Sequence, residues 1–490
     1  MGRHVDKAQF SAQEYADFQQ RLQENLATLR KLLDDPDFGV GPASFGAELE
    51  LYIIDKQGRP SAKNQEILAA VNDPNLTLEL NRFNLEYNLE PTPASGASFS
   101  ALQRQIDSVL RTLQGHAASH EASLLPIGIL PTLKSEDMGP DAITDSPRYQ
   151  ALARQLREKR GEDFHISIKG RDTLDLYWQD VSLEGANTSF QFHYRVNPAD
   201  FADAFNAAQL VTPLAVALAA NSPLFLGRRL WHETRVALFK QATDYRIETP
   251  LRLRLPARVL FGNGWVRKDA HEVFCEGVSL FEPLLPICGD GAALRPGQAP
   301  PLDELRLHQG SIWAWNRPIY DPADGGHIRI EIRALPAGPS TTDMLANAAL
   351  TVGLIEGLRP AMHDMLPAIP FRYCEYNFYR AAKYGLRAKL FWPGQGGAGL
   401  QERPVLDILE DMLPVAEQGL HALAIAPTDV RHYLDVCAEN LAQPVNGALW
   451  QLRMLERLRP HRSDEEALRE LVIRYQENYL SGEPVHQWTY

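Results

Sequence analysis

Three extended segments of this 490-residue chain carry glutamates at the spacing of one strand face. Glu48 and Glu50 alternate with Leu49, Leu51 and Ile53 in AELELYII. Side chains two apart on a strand share a face, so the two carboxylates project together, away from the aliphatic side chains. A solvated acidic face is the plainer reading of such a segment taken alone. However, Glu86 and Glu90 repeat the arrangement in LEYNLEPTP, and Glu331 stands between Arg329 and Arg333 on one face of HIRIEIRALP. Hard cations such as Mg²⁺ want oxygen ligands in near-octahedral geometry. A sheet that gathers glutamates from several strands can hold such ions against a nucleotide triphosphate. His193 and Gln191 share a face of TSFQFHYRV. A lone strand histidine is more often structural than ligating, but its place on a further strand of this type counts toward a ligand.

Phosphoryl transfer also needs fixed positive charge, and arginine supplies it as a planar fork that binds carboxylate or phosphate bidentately. Four arginines have apolar or aromatic flanks: Arg235 in WHETRVALF, Arg317 in WAWNRPIY, Arg333 in IEIRALP and Arg380 in YNFYRAAKYGL. Such flanks imply burial, and a buried arginine must be paired. For Arg317 the alternative is a cation–π contact with Trp313 or Trp315. The chain has no GxxxxGK[ST] loop, no GxGxxG after a strand and no GxSxG elbow. A nucleotide would therefore be held through metals and arginines. The four cysteines form no C-x-x-C pair, which speaks against a zinc ribbon or a thioredoxin-like site and fits a reducing compartment.

The elements that must position these groups follow from periodicity. Apolar residues at helical spacing predict helices over 10–35, 98–121, 147–160, 198–220, 230–240 and 341–358. Strands are expected over 44–54, within 76–90, within 174–195, and as a pair over 311–335 joined by the DPADGG turn. Residues 250–300, rich in Pro and Gly, read as irregular structure with short elements. Residues 403–490 read as charged helices. No repeat or disordered linker divides the chain. Its net charge of -13 disfavours nucleic acid and anionic membranes as partners. The start lacks the apolar core of a signal peptide, and the apolar run near 204–220 is interrupted by polar residues and Pro213, so a cytoplasmic protein is expected.

The order of segments resembles glutamate–cysteine ligase family 2, a group of bacterial carboxylate–amine ligases, over most of residues 40–395. The matching pieces are GAELELYIID, NLEYNLEPTP, PRYQAL, ALAANSPLFLG with ETRVALF, GSIWAWNRP, IRIEIRALPAGPSTTD and YRAAKYGLRAKL, with NGALWQ fainter. The resemblance implies an α+β fold with a glutamine-synthetase-like, curved, mostly antiparallel catalytic sheet and helices on its outer face. It implies one catalytic unit over 1–402 and a helical segment, 403–490, packed on it. It implies ATP, two or three Mg²⁺ ions, and an L-glutamate-like acid joined through an acyl phosphate to an amine such as cysteine. Carried over by position, Glu48, Glu50, Glu86, Glu90, His193 and Glu331 form the metal shell. Arg317 and Arg333 act at the phosphates with Trp313 beside them, and Arg235, Gln191 and Arg380 bind substrate. Two departures leave the substrate open. Many members carry His-x-His where this chain has Gln191-Phe192-His193, and a usual GTH-type segment is replaced by PIGILPTLKSEDM. Another amine acceptor, a homo-oligomeric assembly and a non-catalytic nucleotide-binding role stay open.

Overall fold

The structure, a computed structural model, describes residues 7, 9–247, 255–289, 298–394 and 399–490. Its centre is the eleven-residue strand Ser44–Ile54. The strand order across the sheet is Asn316–Asp321, His327–Ile332, Phe190–Val196, Ser44–Ile54, Asn84–Asn88 and Leu76–Leu78. Each neighbouring pair runs antiparallel. Thr92–Pro93 and Ser123–Leu125 pair with the two ends of the central strand. The sheet curls into half of a barrel.

Alternation sorts the two faces. Phe45, Ala47, Leu49, Leu51 and Ile53 point to one side, with Phe192, Tyr194, Ile328 and Ile330 from neighbouring strands, and all are buried in the main core. Phe45 packs on Phe192, Tyr194 and Phe99, with ring centroids 5.1–5.7 Å apart. Burying side chains of this size stabilises the fold by roughly 1.5–3 kcal/mol each. Helices Ser98–Ser119, Phe201–Ala219 and Thr341–Leu358 contribute to the same core, on the outer face of the sheet. The stretch Pro198–Ala219 is apolar enough to cross a membrane by composition, but 89% of its apolar window is buried against protein. Thr341–Leu358 begins at Ser340, whose hydroxyl accepts from the Asp343 amide at 3.0 Å. A Cβ at Gly353 or Gly357 would strike the backbone of Val405–Ala422, so glycine lets these helices approach closely.

The expected elements form with shifted ends. The first helix is Ala12–Asp34, opened by a Ser11–Glu14 capping box. The helix expected over 230–240 is Arg235–Ala242, because Thr234 instead donates its backbone amide to Ser222. The segment read as irregular contains an eleven-residue helix, Ala270–Leu280, capped by Asp269 and anchored by Phe274 and Val278. Residues 248–254 and 290–297 of that segment lie outside the described residues. Sequence reading also missed the first strand of the hairpin Phe164–Lys169 with Thr173–Trp178. The helical tail starts at Val405, since 403 and 404 complete the strand Leu400–Pro404. Its four helices, Val405–Ala422, Pro427–Ala442, Gly447–Leu458 and Asp464–Ser481, contribute to both large cores of the molecule.

Candidate active site

The polar face of the sheet is built in rungs. Arg317 pairs across to Glu331, Glu331 to His193, and His193 to Gly46. The next rung is Gln191, Glu48 and Asn88, and beyond it Glu50 faces Glu86, which faces Thr77. Because register fixes the face of every residue, five of the six expected metal-shell residues share one surface.

They divide into two acidic clusters, each with ligand atoms within 4.8 Å of one another. The first is Glu48, His193 and Glu331. His193 Nε2 stands 3.2 Å from Glu48 Oε1 and 3.8 Å from Glu331 Oε1, aligned for a hydrogen bond with neither. Arg329 Nε donates to His193 Nδ1 at 3.0 Å, which leaves the imidazole proton on Nε2. A cation at Nε2 would require that proton to move to Nδ1 and Arg329 to turn away. Arg317 grips Glu331 with both arms of its fork, and Arg333 Nη1 lies 3.5 Å from the same carboxylate. Burial opposes ionisation of Glu331, but the guanidinium groups of Arg317 and Arg333 outweigh it and hold the carboxyl well below its ordinary range. Glu48 is lowered too, since the proton on His193 Nε2, a nitrogen 3.2 Å from its Oε1, outweighs the effect of burial.

The second cluster is Glu50, Glu79 and Glu86. Burial and mutual repulsion push these carboxyls up. Glu86 reaches about 7, from burial and then from Glu48 and Glu50. Glu79 is raised well above its ordinary value by burial and by Glu86, Glu50 and Glu184. Glu50 is raised by burial, although Arg333 and Ser189 oppose the shift. Its carboxylate is fixed in direction by the Ser189 amide at 2.7 Å, the Ser189 hydroxyl at 2.9 Å and Gln191 Nε2 at 2.6 Å. Gln191 Oε1 accepts from Arg333 Nη1, so this carboxamide bridges an acid and a base of the site.

Beside the second cluster lies a cavity lined by Glu50, Glu79, Glu184, Arg235, Trp315 and Arg333, among others. Arg235 is 2% exposed, its Nη2 reaches the carbonyls of Arg333 and Leu335 at 3.4 Å, and its Nη1 has no partner. Trp315 Nε1 and both side-chain atoms of Asn84 are likewise buried without partners. Buried donors and acceptors left unsatisfied around a cavity are groups that a polar ligand could satisfy. Burial and then Glu50 push Glu184 up to about 8.

Three expected positions correct the sequence reading. Glu90 lies apart from both clusters: its strand ends at Asn88, and the exposed side chain binds Asn75 at 2.9 Å. Arg380 does not line the cavity. It bonds Tyr376 at 2.8 Å, pairs with Glu402 at 3.3 Å and stacks on Tyr376 and Tyr384, so its aromatic flanks are ring contacts rather than burial. Trp313 packs on Phe239, and Trp315 is the tryptophan at the cavity. Arg317 is held by Glu331 and not by either tryptophan. Two residues were overlooked. Glu79 had a signal, because LTLEL alternates and places it on the face of Thr77, opposite Glu86. Glu184 had none, since it lies in a short helical turn outside any periodic run.

A curled antiparallel sheet with helices behind it is the fold that the resemblance implied. The crystal structure of a glutamate–cysteine ligase from Francisella tularensis in complex with AMP has the same fold, with a TM-score of 0.53 at 11% identity over 91% of this chain and 90% of that one. The family model for glutamate–cysteine ligase family 2 matches residues 44–254, so the resemblance read from the motifs is shown over that span. Among curated relatives, one from Frankia casuarinae named "Putative glutamate–cysteine ligase 2-1" is 32% identical over 91 residues, which cover 18% of this chain and 24% of the relative. A Rhodococcus jostii protein of the same name is 28% identical over 194 residues, 38% of this chain and 43% of the relative. These matches therefore span less than half of either relative.

Proposed function

We propose that this chain is an ATP- and Mg²⁺-dependent carboxylate–amine ligase of the glutamate–cysteine ligase type, acting in the cytoplasm on small molecules. The observation that carries the reading is the placement of two acidic clusters on one sheet face, with a cavity beside the second that Arg235 and Arg333 line. The crystallised Francisella ligase holds AMP, which supports a nucleotide as one substrate.

Mg²⁺ fits the donors present. Glu50, Glu79 and Glu86 crowd so closely that their ionised forms repel one another, which a divalent cation would relieve. Glu48 and Glu331 offer a second set, with His193 available once its proton has moved. When bound, the metal neutralises phosphate charge and polarises the transferring phosphoryl group. Arg235 Nη1, unpartnered at the cavity, would bind the substrate carboxylate, and Arg333 would act at the phosphates. The acid's carboxylate oxygen attacks the γ-phosphorus, the bond to the bridging oxygen breaks, and ADP leaves. The amine then attacks the acyl phosphate carbonyl, forming the amide and releasing phosphate and the amine's proton. Arg317 acts by fixing Glu331 and adding positive charge where phosphate charge develops.

The test is Mg²⁺-dependent ADP release with L-glutamate, with and without cysteine. Release that requires both supports the reading. Release only with another amine moves the acceptor, and ATP binding without turnover for any amine overturns the ligase reading.

A further inference from the structure

Three of the sequence motifs meet behind the cavity. Asn221 of ALAANSP, Glu233 of ETR and Gln451 of NGALWQ are each 0% exposed, and Tyr475 of the last helix joins them at 0%. Gln451 Nε2 donates to Asn221 Oδ1 at 2.8 Å and to its carbonyl at 3.1 Å. Asn221 Nδ2 donates to the Tyr475 hydroxyl and to the Ala337 carbonyl, both at 2.8 Å. The Tyr475 hydroxyl donates onward to the Pro126 carbonyl at 3.0 Å. The Asn221 backbone amide then donates to Glu233 Oε2 at 2.9 Å, and the Ser222 hydroxyl donates to Oε1. Glu233 Oε1 stands 3.5 Å from Arg235 Nε.

Few hydrogen bonds direct this guanidinium. Its two bonds from Nη2 are long, at 3.4 Å, and Nη1 has no protein partner. Glu233 acts on the guanidinium more strongly than the other nearby acid, Glu50, and so dominates its direction, while Asn221 with Ser222 sets Glu233. The space around Asn221 leaves no room for adjustment. A Cβ at Gly447 would collide with its side chain, and one at Gly338 would strike Tyr475 and Pro126. The tail is itself anchored. Trp488 packs edge-on to Trp450 and Tyr475 at 5.2 and 5.0 Å, and the Val485 amide donates to Asp343 at 2.9 Å.

We infer that the C-terminal helices are a working part of the substrate site, because Gln451 and Tyr475 fix Asn221, Asn221 fixes Glu233, and Glu233 aims Arg235 at the substrate carboxylate. Asn221, Glu233, Gln451 and Tyr475 are positioning residues. They touch no substrate and act through Arg235. The inference rests on the ligase reading above. Displacement of a binding group by about 1 Å costs as much as 10²-fold in rate, so a chain of hydrogen bonds this far from the chemistry has a measurable effect.

The experiment measures steady-state kinetics of the full-length protein with ATP, the acid and an amine. Glu233→Gln keeps shape but removes charge, and is expected to raise KM for the acid about tenfold while KM for ATP changes less than about twofold. Tyr475→Phe and Gln451→Met should raise the same KM by about two- to fivefold. Tyr475→Phe added to Glu233→Gln should cause no further rise, as members of one chain are not additive. Leu22→Ala, in the distant first helix, serves as a destabilised control and should leave KM for the acid unchanged. An unchanged acid KM in Tyr475→Phe and Gln451→Met, or an equal rise in Leu22→Ala, overturns the inference alone. Absence of acid-dependent ADP release in the wild type overturns the ligase reading and takes this inference with it.

Discussion

The guanidinium of Arg317 holds both oxygens of Glu331, Nε to Oε2 at 2.6 Å and Nη2 to Oε1 at 2.9 Å, with both residues buried. Such a fork restricts the carboxylate to one orientation. Lysine retains the charge but not the two-point grip. Arg317→Lys is expected to lower kcat about 10²-fold with little change in KM for ATP, by comparison with the loss of a preorganised donor. Arg317→Met should instead unfold at lower denaturant, by about 3–5 kcal/mol, since it leaves a buried carboxylate uncompensated. A Lys variant with normal kcat would remove Arg317 from the catalytic set.

The two acidic clusters should respond in opposite directions to neutralisation. Glu50 is held at a raised value beside other carboxyls, so Glu50→Gln should abolish turnover while the melting temperature of the metal-free protein stays level or rises. Glu331 is the counter-ion of Arg317 and lies near Arg333, so Glu331→Gln should abolish turnover and lower stability by about 3 kcal/mol or more. Thermal melts in EDTA compare the pair, and equal shifts in both variants would contradict this division.

The same crowding gives the metal-free protein a pH dependence. Folded Glu86 and Glu184 titrate near 7 and 8, above the ordinary value of 4.5. Between the ordinary value and the raised ones, the folded chain holds protons that the unfolded chain has lost, so stability falls as pH rises. Each of the two carboxyls contributes a loss on the order of 3 kcal/mol from about pH 5 to about pH 8, at about 1.4 kcal/mol for each tenfold change in proton affinity. Melting in EDTA should fall across that window, and saturating Mg²⁺ should flatten the slope. A flat profile in EDTA would show that these carboxyls titrate normally.

Glu90 should be dispensable. It is exposed and bonded to Asn75, away from both clusters. Glu90→Ala is expected to keep turnover and Mg²⁺ activation within about twofold of wild type, as surface changes usually do. Loss of Mg²⁺ activation would restore it to the metal shell.

No thiol should be required. Burial raises the Cys374 and Cys437 thiols, which bond the carbonyls of Gln209 and Ala346, and Cys275 is raised as well, first by burial. Reactive cysteines have lowered values. Cys275→Ala and Cys288→Ala should retain full turnover in the ADP assay, and inactivation of either folded variant would point to a covalent thioester step.

The sequence by itself determined the sheet and its two faces. Alternation in AELELYII, LEYNLEP and HIRIEIRALP placed Glu48, Glu50, Glu86 and Glu331 together, because a period of two allows only one assignment of faces. It also determined the ends of Thr341–Leu358, through the Ser340 cap and the apolar run behind it. What only the tertiary structure decided was which side chains meet across elements. Glu90 shares the parity of Glu86, but the strand stops first. Arg380 and Arg235 have similar apolar flanks, yet one meets Glu402 and two tyrosines while the other is buried at the cavity. Glu184 enters the site from an aperiodic turn, and Gln451 and Tyr475 arrive from more than 200 residues downstream of Asn221. Local periodicity encodes the direction of a side chain along its own strand or helix. Long-range partners depend on how the elements pack, and spacing along the chain does not record that.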